Sequence, residues 1–180
     1  MKRLTLLRHA KSGWDEPVAR DFDRPLNAKG KRAARAIGRH MRDNGLTFDH
    51  AVASPATRVV ETLEEVWDGY GKAVRPTLDR RVYLASAETL LDVIHDAPEY
   101  AESLLLAGHN PGMEELVLLL VPHGAGDGRD AVEDKFPTAS LAEIRFDAAR
   151  WADVIPGSGA LARLIRPRDL DPTLGPETTA

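Results

Sequence analysis

The sequence contains no cysteine. This absence excludes disulfide bonds, zinc sites built on thiolates, iron–sulfur clusters and cysteine nucleophiles. It is also typical of proteins that work in the reducing cytoplasm, where disulfides are rare. A chain of 180 residues buries roughly 70% of its unfolded surface on folding, so its core needs no covalent crosslink.

The sequence also lacks an excess of basic residues and a long apolar run. Its 24 lysine and arginine residues are outnumbered by 28 acidic residues, which gives a net charge of −4 and argues against a nucleic-acid partner. No apolar run approaches the roughly 20 residues of a membrane span, and the apolar stretch near the N-terminus is too short for a signal peptide. We therefore expect a cytoplasmic protein that contacts neither nucleic acid nor membrane.

What the chain does contain is a regular alternation of short apolar runs and amphipathic segments. The apolar spacing predicts helices between the runs, the clearest over residues 28–43, with Asn27 as its cap. Alternating strands and helices favour a three-layer α/β/α sandwich around a mostly parallel sheet, and we expect this α/β fold. The predicted strands are residues 4–7, 50–53, 74–77, 103–107, 141–146 and 160–165.

Two segments fall outside this alternation. Residues 122–135 are rich in glycine and charge, which predicts a solvated loop, with a loop bordering the functional site as the alternative. Residues 167–180 contain three prolines and no apolar periodicity, which predicts a flexible C-terminal tail. Residues 1–166 are then expected to form a single domain.

Charged and polar residues follow three of the predicted strands. Arg8 and His9 follow the first strand, Arg58 ends the sequence SPATR after the second, and His109 lies in GHNPG after the fourth. Because ligands bind beyond the carboxyl ends of parallel strands, these side chains are expected at one edge of the sheet. The dipeptides SP and NP predict helices that begin there, each with a capping residue followed by proline.

Two arginines, two histidines and two helix N-termini suit a phosphoryl group. Arginine forks bind its oxygens in pairs, and helix N-termini favour anions. A neutral imidazole is a nucleophile, and neighbouring arginines favour the neutral form. A histidine at a strand end or an arginine on a helix can also be purely structural, so the residues alone leave both interpretations open. No metal site is expected, because the six histidines show no close paired spacing.

Three motifs occur in order along the chain. They are RHAKS at residues 8–12, SPATR at 54–58 with Thr62 after it, and GHNP at 108–111. Together they resemble the histidine phosphatase superfamily, which has the phosphoglycerate-mutase-like fold. The first motif, with Trp14, DFDRPL at 21–26 and FPTA at 136–139, is similar to the SixA-type phosphohistidine phosphatase branch.

The resemblance implies a role for each matching residue. His9 would be the nucleophile that becomes phosphohistidine, and water would then release phosphate. Three further residues, Arg8, Arg58 and His109, would hold the phosphoryl oxygens. No metal or organic cofactor is implied.

Weaker expectations concern the substrate and its leaving group. Family position makes Ser12 and Arg24 candidate substrate-binding residues. Many family members protonate the leaving group with a carboxylic acid, for which this chain offers Asp21, Asp23 and Glu88 but no clear equivalent. A missing acid would favour phosphohistidine as substrate, because an imidazole can leave already protonated on its other nitrogen, whereas an alkoxide needs a proton.

The sequence thus predicts a phosphatase that forms a covalent phosphohistidine intermediate and acts on phosphohistidine in a protein partner. The short chain leaves little material to cover the site, which suits a phosphorylated protein better than a small phosphorylated molecule. Two alternatives stay open: a phosphatase of small phosphoesters, and a phosphate-recognition module with little turnover.

Overall fold

A six-stranded sheet forms the centre of the computed structural model, which describes residues 1–13, 17 and 20–176. The strand order is β3-β2-β4-β1-β5-β6. Neighbouring strands are parallel from β3 to β1, whereas β5 runs antiparallel to both β1 and β6, so a mostly parallel sheet is confirmed. The strands are β1 Lys2–Arg8, β2 His50–Ala53, β3 Thr77–Leu78, β4 Ser103–Gly108, β5 Leu141–Phe146 and β6 Gly159–Ile165.

Helices cover both faces of the sheet, which confirms the three-layer sandwich. One core contains residues of α1 and α2 packed on the sheet, and the other contains residues of α3 and α4 on the opposite face. None of the helices among the described residues combines the length and hydropathy of a bilayer-spanning segment. The helices are α1 Ala28–Asp43, α2 Thr57–Tyr70, α3 Ala87–His95, α4 Gly112–Leu120, α5 Asp127–Asp134 and α6 Pro167–Leu170.

The alternation of side chains along β1 connects the two cores. Leu4 and Leu6 point into the core with α3 and α4, whereas Leu7 belongs to the core with α1 and α2. All three are fully buried, and burying a leucine side chain contributes about 1.5–3 kcal/mol. Because both faces are covered, the strand reads in the sequence as a continuous apolar run.

Two glycines let α1 and α2 pack backbone against backbone. A Cβ atom on Gly38 would lie 2.0 Å from the carbonyl oxygen of Val66, and one on Gly69 would lie 2.1 Å from that of Arg35. Such distances are far below van der Waals contact, so only glycine allows this approach. The contact fixes α2, which carries Arg58 in its first turn.

The start of β3 differs from the prediction. The sequence predicted a strand over 74–77, but β3 is Thr77–Leu78. Pro76 lies within the predicted run and has no N–H to donate to a strand ladder, so pairing with β2 begins only after it.

The helix starts expected at SP and NP are also wrong. The helix α2 begins at Thr57 with Ala56 as its N-cap, and α4 begins at Gly112 with Pro111 as its N-cap, neither with a side-chain cap. Asn110 still serves the first turn of α4 from one residue before the N-cap, since its Oδ1 accepts from Glu114 N at 3.2 Å. The side chain of Ser54 contacts His109, as described below. The cap predicted for α1 is confirmed, since Asn27 accepts from Gly30 N. At α3 the cap is Ser86, which accepts from Thr89 N.

The loop expected at 122–135 contains a helix. Its residues 127–134 form α5, in which Val132 and the stem of Arg129 are buried. The guanidinium of Arg129 donates to the carbonyl oxygens of Val121 at 3.0 Å and Leu118 at 3.1 Å. The end of α4 leaves these carbonyl oxygens without helical partners. Arg129 therefore caps the C-terminus of α4, and this contact anchors α5 to it.

The first part of the expected tail packs against α1. Residues 167–170 form α6, in which Pro167 is buried, and a 3-10 turn follows at Pro172–Leu174. Lys29 Nζ on α1 donates to the carbonyl oxygen of Gly175. Residues 177–180 lie outside the described residues, and so does Trp14 of the first motif.

Replacing Gly38 by alanine is expected to destabilise the protein by about 1–3 kcal/mol, because the added methyl group forces α1 away from α2. Alanine has the higher helix propensity by about 1 kcal/mol, so a net loss reports the contact itself. Chemical denaturation measures the change. Arg39→Ala, an exposed substitution on the same helix, is the control, and equal stability of the two variants would contradict the close approach.

Candidate active site

The carboxyl ends of β2, β4 and β1 lie side by side, because these strands are neighbours in the sheet. Backbone pairing continues past the strand ends: His9 N donates to the Gly108 carbonyl oxygen at 3.0 Å, and Ser54 N donates to that of Ala107 at 3.1 Å. Backbone pairing within the sheet therefore positions His9, Ser54 and His109 close together, independently of their side-chain contacts.

These strand ends surround a cavity of about 440 Å³, which we call the catalytic cavity. The four residues expected to carry the chemistry line it, and so do both candidate substrate-binding residues and one candidate acid. Asp23 and Glu88 do not line it: Asp23 pairs with Arg20 at 2.8 Å, and Glu88 is exposed in the first turn of α3. The lining residues are Arg8, His9, Lys11, Ser12, Asp21, Arg24, Arg58, Leu84, His109, Asn110 and Thr138.

His9 is held as a neutral imidazole with its lone pair on Nε2. Its Nδ1 lies 2.7 Å from the carbonyl oxygen of Ala10, which can only accept, so Nδ1 carries the proton. Burial, together with the charges of Arg8 and Arg58, lowers the pKa of His9 to about 4, against the opposing effect of the Ala10 hydrogen bond. At neutral pH the unprotonated Nε2 is therefore available as a nucleophile.

His109 lies beside His9, with 5.3 Å between the ring centroids. Its Nε2 is 2.8 Å from the Ser54 hydroxyl, which also accepts from Ala56 N at 3.2 Å. A hydroxyl has one proton and two lone pairs, so Ser54 can accept from Ala56 N and donate its own proton to Nε2. His109 Nδ1 then carries its proton, and Nδ1 is buried with no hydrogen-bond partner among the described residues.

The pKa of His109 is lowered to about 3 by burial, with further contributions from His9 and Arg58. The ring is therefore neutral at pH 7 but can still donate one hydrogen bond from Nδ1. A donor aimed at phosphoryl oxygens stabilises the charge that they carry during transfer.

Arg58 is almost fully buried, with 3% of its side chain exposed. It donates from Nη1 to the Asp21 carbonyl oxygen at 2.8 Å and from Nη2 to the Asp21 carboxylate at 3.0 Å. One turn later, Thr62 Oγ1 donates to the Arg58 carbonyl oxygen at 2.6 Å and accepts from Ala10 N at 2.9 Å. Thr62 thus ties the helix that carries Arg58 to the loop that carries His9.

Arg8 is oriented from the other side of the cavity. Its Nη1 donates to the Phe136 carbonyl oxygen at 3.0 Å, and Asn110 Nδ2 donates to the same oxygen at 2.9 Å. The FPTA segment is in turn fixed to the loop that carries His9, because Ala139 N lies 3.1 Å from the Arg8 carbonyl oxygen and 3.0 Å from that of His9.

Asp21 is the one candidate acid that lines the catalytic cavity. Its carboxylate accepts from the Tyr83 hydroxyl at 2.7 Å, from Arg58 at 3.0 Å and from Arg24 at 3.3 Å. Burial raises the pKa of Asp21, but the Tyr83 hydrogen bond and the two guanidinium charges outweigh it and hold the pKa below its usual value. Asp21 is therefore an anion at neutral pH.

Two residues of the site were not expected from the sequence. The sequence predicts Ser54 only as a helix cap, and its place in the SPATR motif gives no sign that it contacts His109. Tyr83 makes edge contact with His109 at 5.3 Å between centroids, and it lies in a segment with no recognisable motif. The described residues contain no group of three or more histidine, cysteine or acidic side chains that could hold a metal ion.

Several known proteins are similar to this chain in sequence and in fold. The model of the histidine phosphatase superfamily (branch 1) matches residues 4–82. The uncharacterised protein Rv1276c of Mycobacterium tuberculosis is 34% identical over 164 residues, which are 90% of this chain and 100% of that protein.

Two solved structures are similar over almost the whole chain. A Nakamurella multipartitia protein assigned as the phosphohistidine phosphatase SixA has a TM-score of 0.81 and 26% identity, and covers 92% of this chain and 96% of its own. An Agrobacterium tumefaciens protein with the same assignment has a TM-score of 0.72 and 29% identity, and covers 92% and 97%.

We expect His9 and His109 to stay neutral down to about pH 5. At pH 5.5 an imidazole with the ordinary pKa of 6.5 is about nine-tenths protonated, whereas one with a pKa of about 4 is not. The lowered pKa keeps the nucleophilic form present as pH falls, and this form is lost only near pH 4. Nitrogen NMR of labelled histidine side chains, assigned with His9→Ala and His109→Ala, measures both the charge and the tautomer. A cationic His9 at pH 5.5, or a proton on its Nε2, contradicts the assignment.

Proposed function

The chain belongs to the histidine phosphatase superfamily, in its SixA-type branch, and we propose that it removes phosphoryl groups from phosphohistidine in a protein partner. The observation that carries the proposal is the state of His9. A buried, neutral imidazole presents Nε2 to a cavity in which guanidinium groups are the main charges. Such a site suits transfer of a phosphoryl group to nitrogen.

The reaction takes two displacements at phosphorus. In the first, His9 Nε2 attacks, a P–N bond to His9 forms, and the P–N bond to the substrate imidazole breaks. Arg8 and Arg58 bind the phosphoryl oxygens, and the His109 Nδ1 proton donates to one of them. In the second, water attacks phosphorus, the bond to His9 breaks, and the released phosphate keeps the protons of the water. His9 leaves as the same neutral imidazole, because its proton stays on Nδ1, hydrogen-bonded to the Ala10 carbonyl oxygen.

The ionised state of Asp21 supports phosphohistidine as the substrate. Among the described residues that line the cavity, Asp21 is the only carboxylic acid, and its lowered pKa makes it a poor proton donor at neutral pH. A leaving imidazole takes a proton on its distal nitrogen from solvent, whereas an alkoxide depends on a donor in the site. The SixA assignments of the two similar structures point to the same substrate class.

We infer that Asp21 positions Arg58 rather than acting as an acid. Each of the two Nη atoms of Arg58 donates one hydrogen bond to Asp21, so each keeps a second proton for a phosphoryl oxygen. The carboxylate also offsets the charge of a guanidinium that is almost fully buried.

The cytoplasmic location that the absence of cysteine favours stays a prediction.

Incubation with a phosphohistidine peptide labelled on phosphorus is expected to place an acid-labile, base-stable phosphoryl group on the wild-type protein. Rapid quenching should show this adduct rise and decay to free phosphate. His9→Ala should form no adduct and lose at least about a thousandfold in turnover, because the nucleophile is gone. His123→Ala, at an exposed histidine outside the cavity, is the matched control and should behave as wild type. Full turnover by His9→Ala would refute the mechanism, and binding without turnover would favour the recognition module.

Asp21→Asn separates a positioning role from an acid role. If Asp21 positions Arg58, we expect losses of similar size, about tenfold or less, with a phosphohistidine peptide and with an alkyl phosphate ester. If Asp21 is the general acid, the alkyl ester alone should lose about 10²–10⁴-fold. Asp23→Asn is the control two residues away, where the carboxylate pairs with Arg20 outside the cavity. Steady-state rates on both substrates decide between the two.

A further inference from the structure

A second cavity, of about 350 Å³, lies beside the catalytic cavity, and we call it the basic groove. Its walls come from the nucleophile loop, from α1, from the segment before β5 and from the C-terminal residues that pack on α1. No acidic residue lines it among the described residues, although the chain as a whole carries a net charge of −4. Its basic residues are Arg8, Lys11, Lys29, Lys135, Arg166 and Arg168.

Part of this positive charge is not paired with an acidic side chain among the described residues. Arg8 interacts electrostatically with Glu114, and Arg168 with Asp169, without a salt bridge. Arg166 pairs with Asp169 at 3.2 Å, outside the groove lining. Lys29 donates to the Gly175 carbonyl oxygen, which carries no full charge. The side chains of Lys11, Lys135 and Arg168 make no hydrogen bond or salt bridge with a described residue. Like charges gathered in this way repel one another, and an anion that binds among them relieves the repulsion.

The basic groove and the catalytic cavity are continuous. Arg8, Lys11 and Thr138 line both. A substrate whose phosphoryl group lies against His9 can therefore extend past these residues into the groove.

We propose that the basic groove binds acidic side chains that flank the phosphohistidine of the protein partner. This inference rests on the proposed function, and it adds a charge requirement on the partner. Three of the six cations are lysines, which are mobile point charges with three donors each and suit several carboxylates in varied positions. A pocket built for one further phosphate would instead converge bidentate arginines on a single point.

The groove is also placed to speed encounter. Complementary charge at the rim of a binding site mainly raises the association rate, and salt weakens the effect. The rest of the protein carries a net negative charge, so it repels acidic partners that approach from other directions.

The test uses two phosphohistidine peptides that differ only in flanking residues, Asp and Glu in one and Asn and Gln in the other. The wild-type protein is expected to show about a tenfold higher kcat/KM for the acidic peptide at low salt, with the preference reduced at high salt. In the double variant Lys135→Gln with Arg168→Gln, the ratio of the two kcat/KM values should fall to within about twofold of one. Lys72→Gln with Arg75→Gln removes the same charge at exposed positions after α2 and should keep the preference.

The outcomes separate this inference from the proposed function. If both peptides are turned over equally by the wild-type protein, or if the double groove variant keeps the preference, the groove does not read acidic side chains and the proposed function stands. If neither peptide is turned over, the proposed function itself fails. A sugar bisphosphate and the matching monophosphate form a second arm. A preference for the bisphosphate that the groove variant loses, with none between the peptides, overturns the proposed occupant in favour of a small molecule.

Discussion

The hydrogen bond from His9 Nδ1 to the Ala10 carbonyl oxygen is the constraint on which the rest of the site depends. It fixes the tautomer, and burial among guanidinium groups keeps the ring neutral. A protonated ring would lose its nucleophilic lone pair, and the other tautomer would place a proton where phosphorus must bind. The neighbours of His9 can then serve the phosphoryl oxygens, because none of them is needed to deprotonate the nucleophile.

The buried arginines set a second condition, since a buried charge without a partner costs several kcal/mol. Arg58 meets it through the Asp21 carboxylate and carbonyl, and Arg8 through the Phe136 carbonyl. The two solutions differ in charge. Arg58 forms a salt bridge with a carboxylate, whereas Arg8 donates to a neutral carbonyl and interacts with Glu114 only at longer range. Arg8 is also the arginine that lines both the catalytic cavity and the basic groove.

Much of the architecture could be predicted from the sequence. Both sheet faces are covered, so β1 and β4 appear as continuous apolar runs, and apolar periodicity is strong in α1. The residues gathered in the catalytic cavity followed from strand order in a parallel sheet together with motif resemblance. Pairings between distant side chains could not be predicted. Tyr83 reaches Asp21 across 62 positions, and Ser54 reaches His109 across 55, so no local spacing encodes either contact. The helix α5 escaped prediction for a related reason, since a few tertiary contacts outweigh its poor intrinsic propensity.

The acceptors that orient the nucleophile and Arg8 are both main-chain carbonyls, of Ala10 and Phe136. A substitution changes a side chain and leaves the carbonyl in place, so these two anchors survive any mutation that preserves the backbone path. The side chains at positions 10 and 136 therefore need to match the space around them in shape rather than in polarity, because both are fully enclosed. Substitutions around the site can therefore leave the orientations of His9 and Arg8 unchanged. A site oriented by side-chain acceptors would lose an orientation whenever one of those acceptors was replaced.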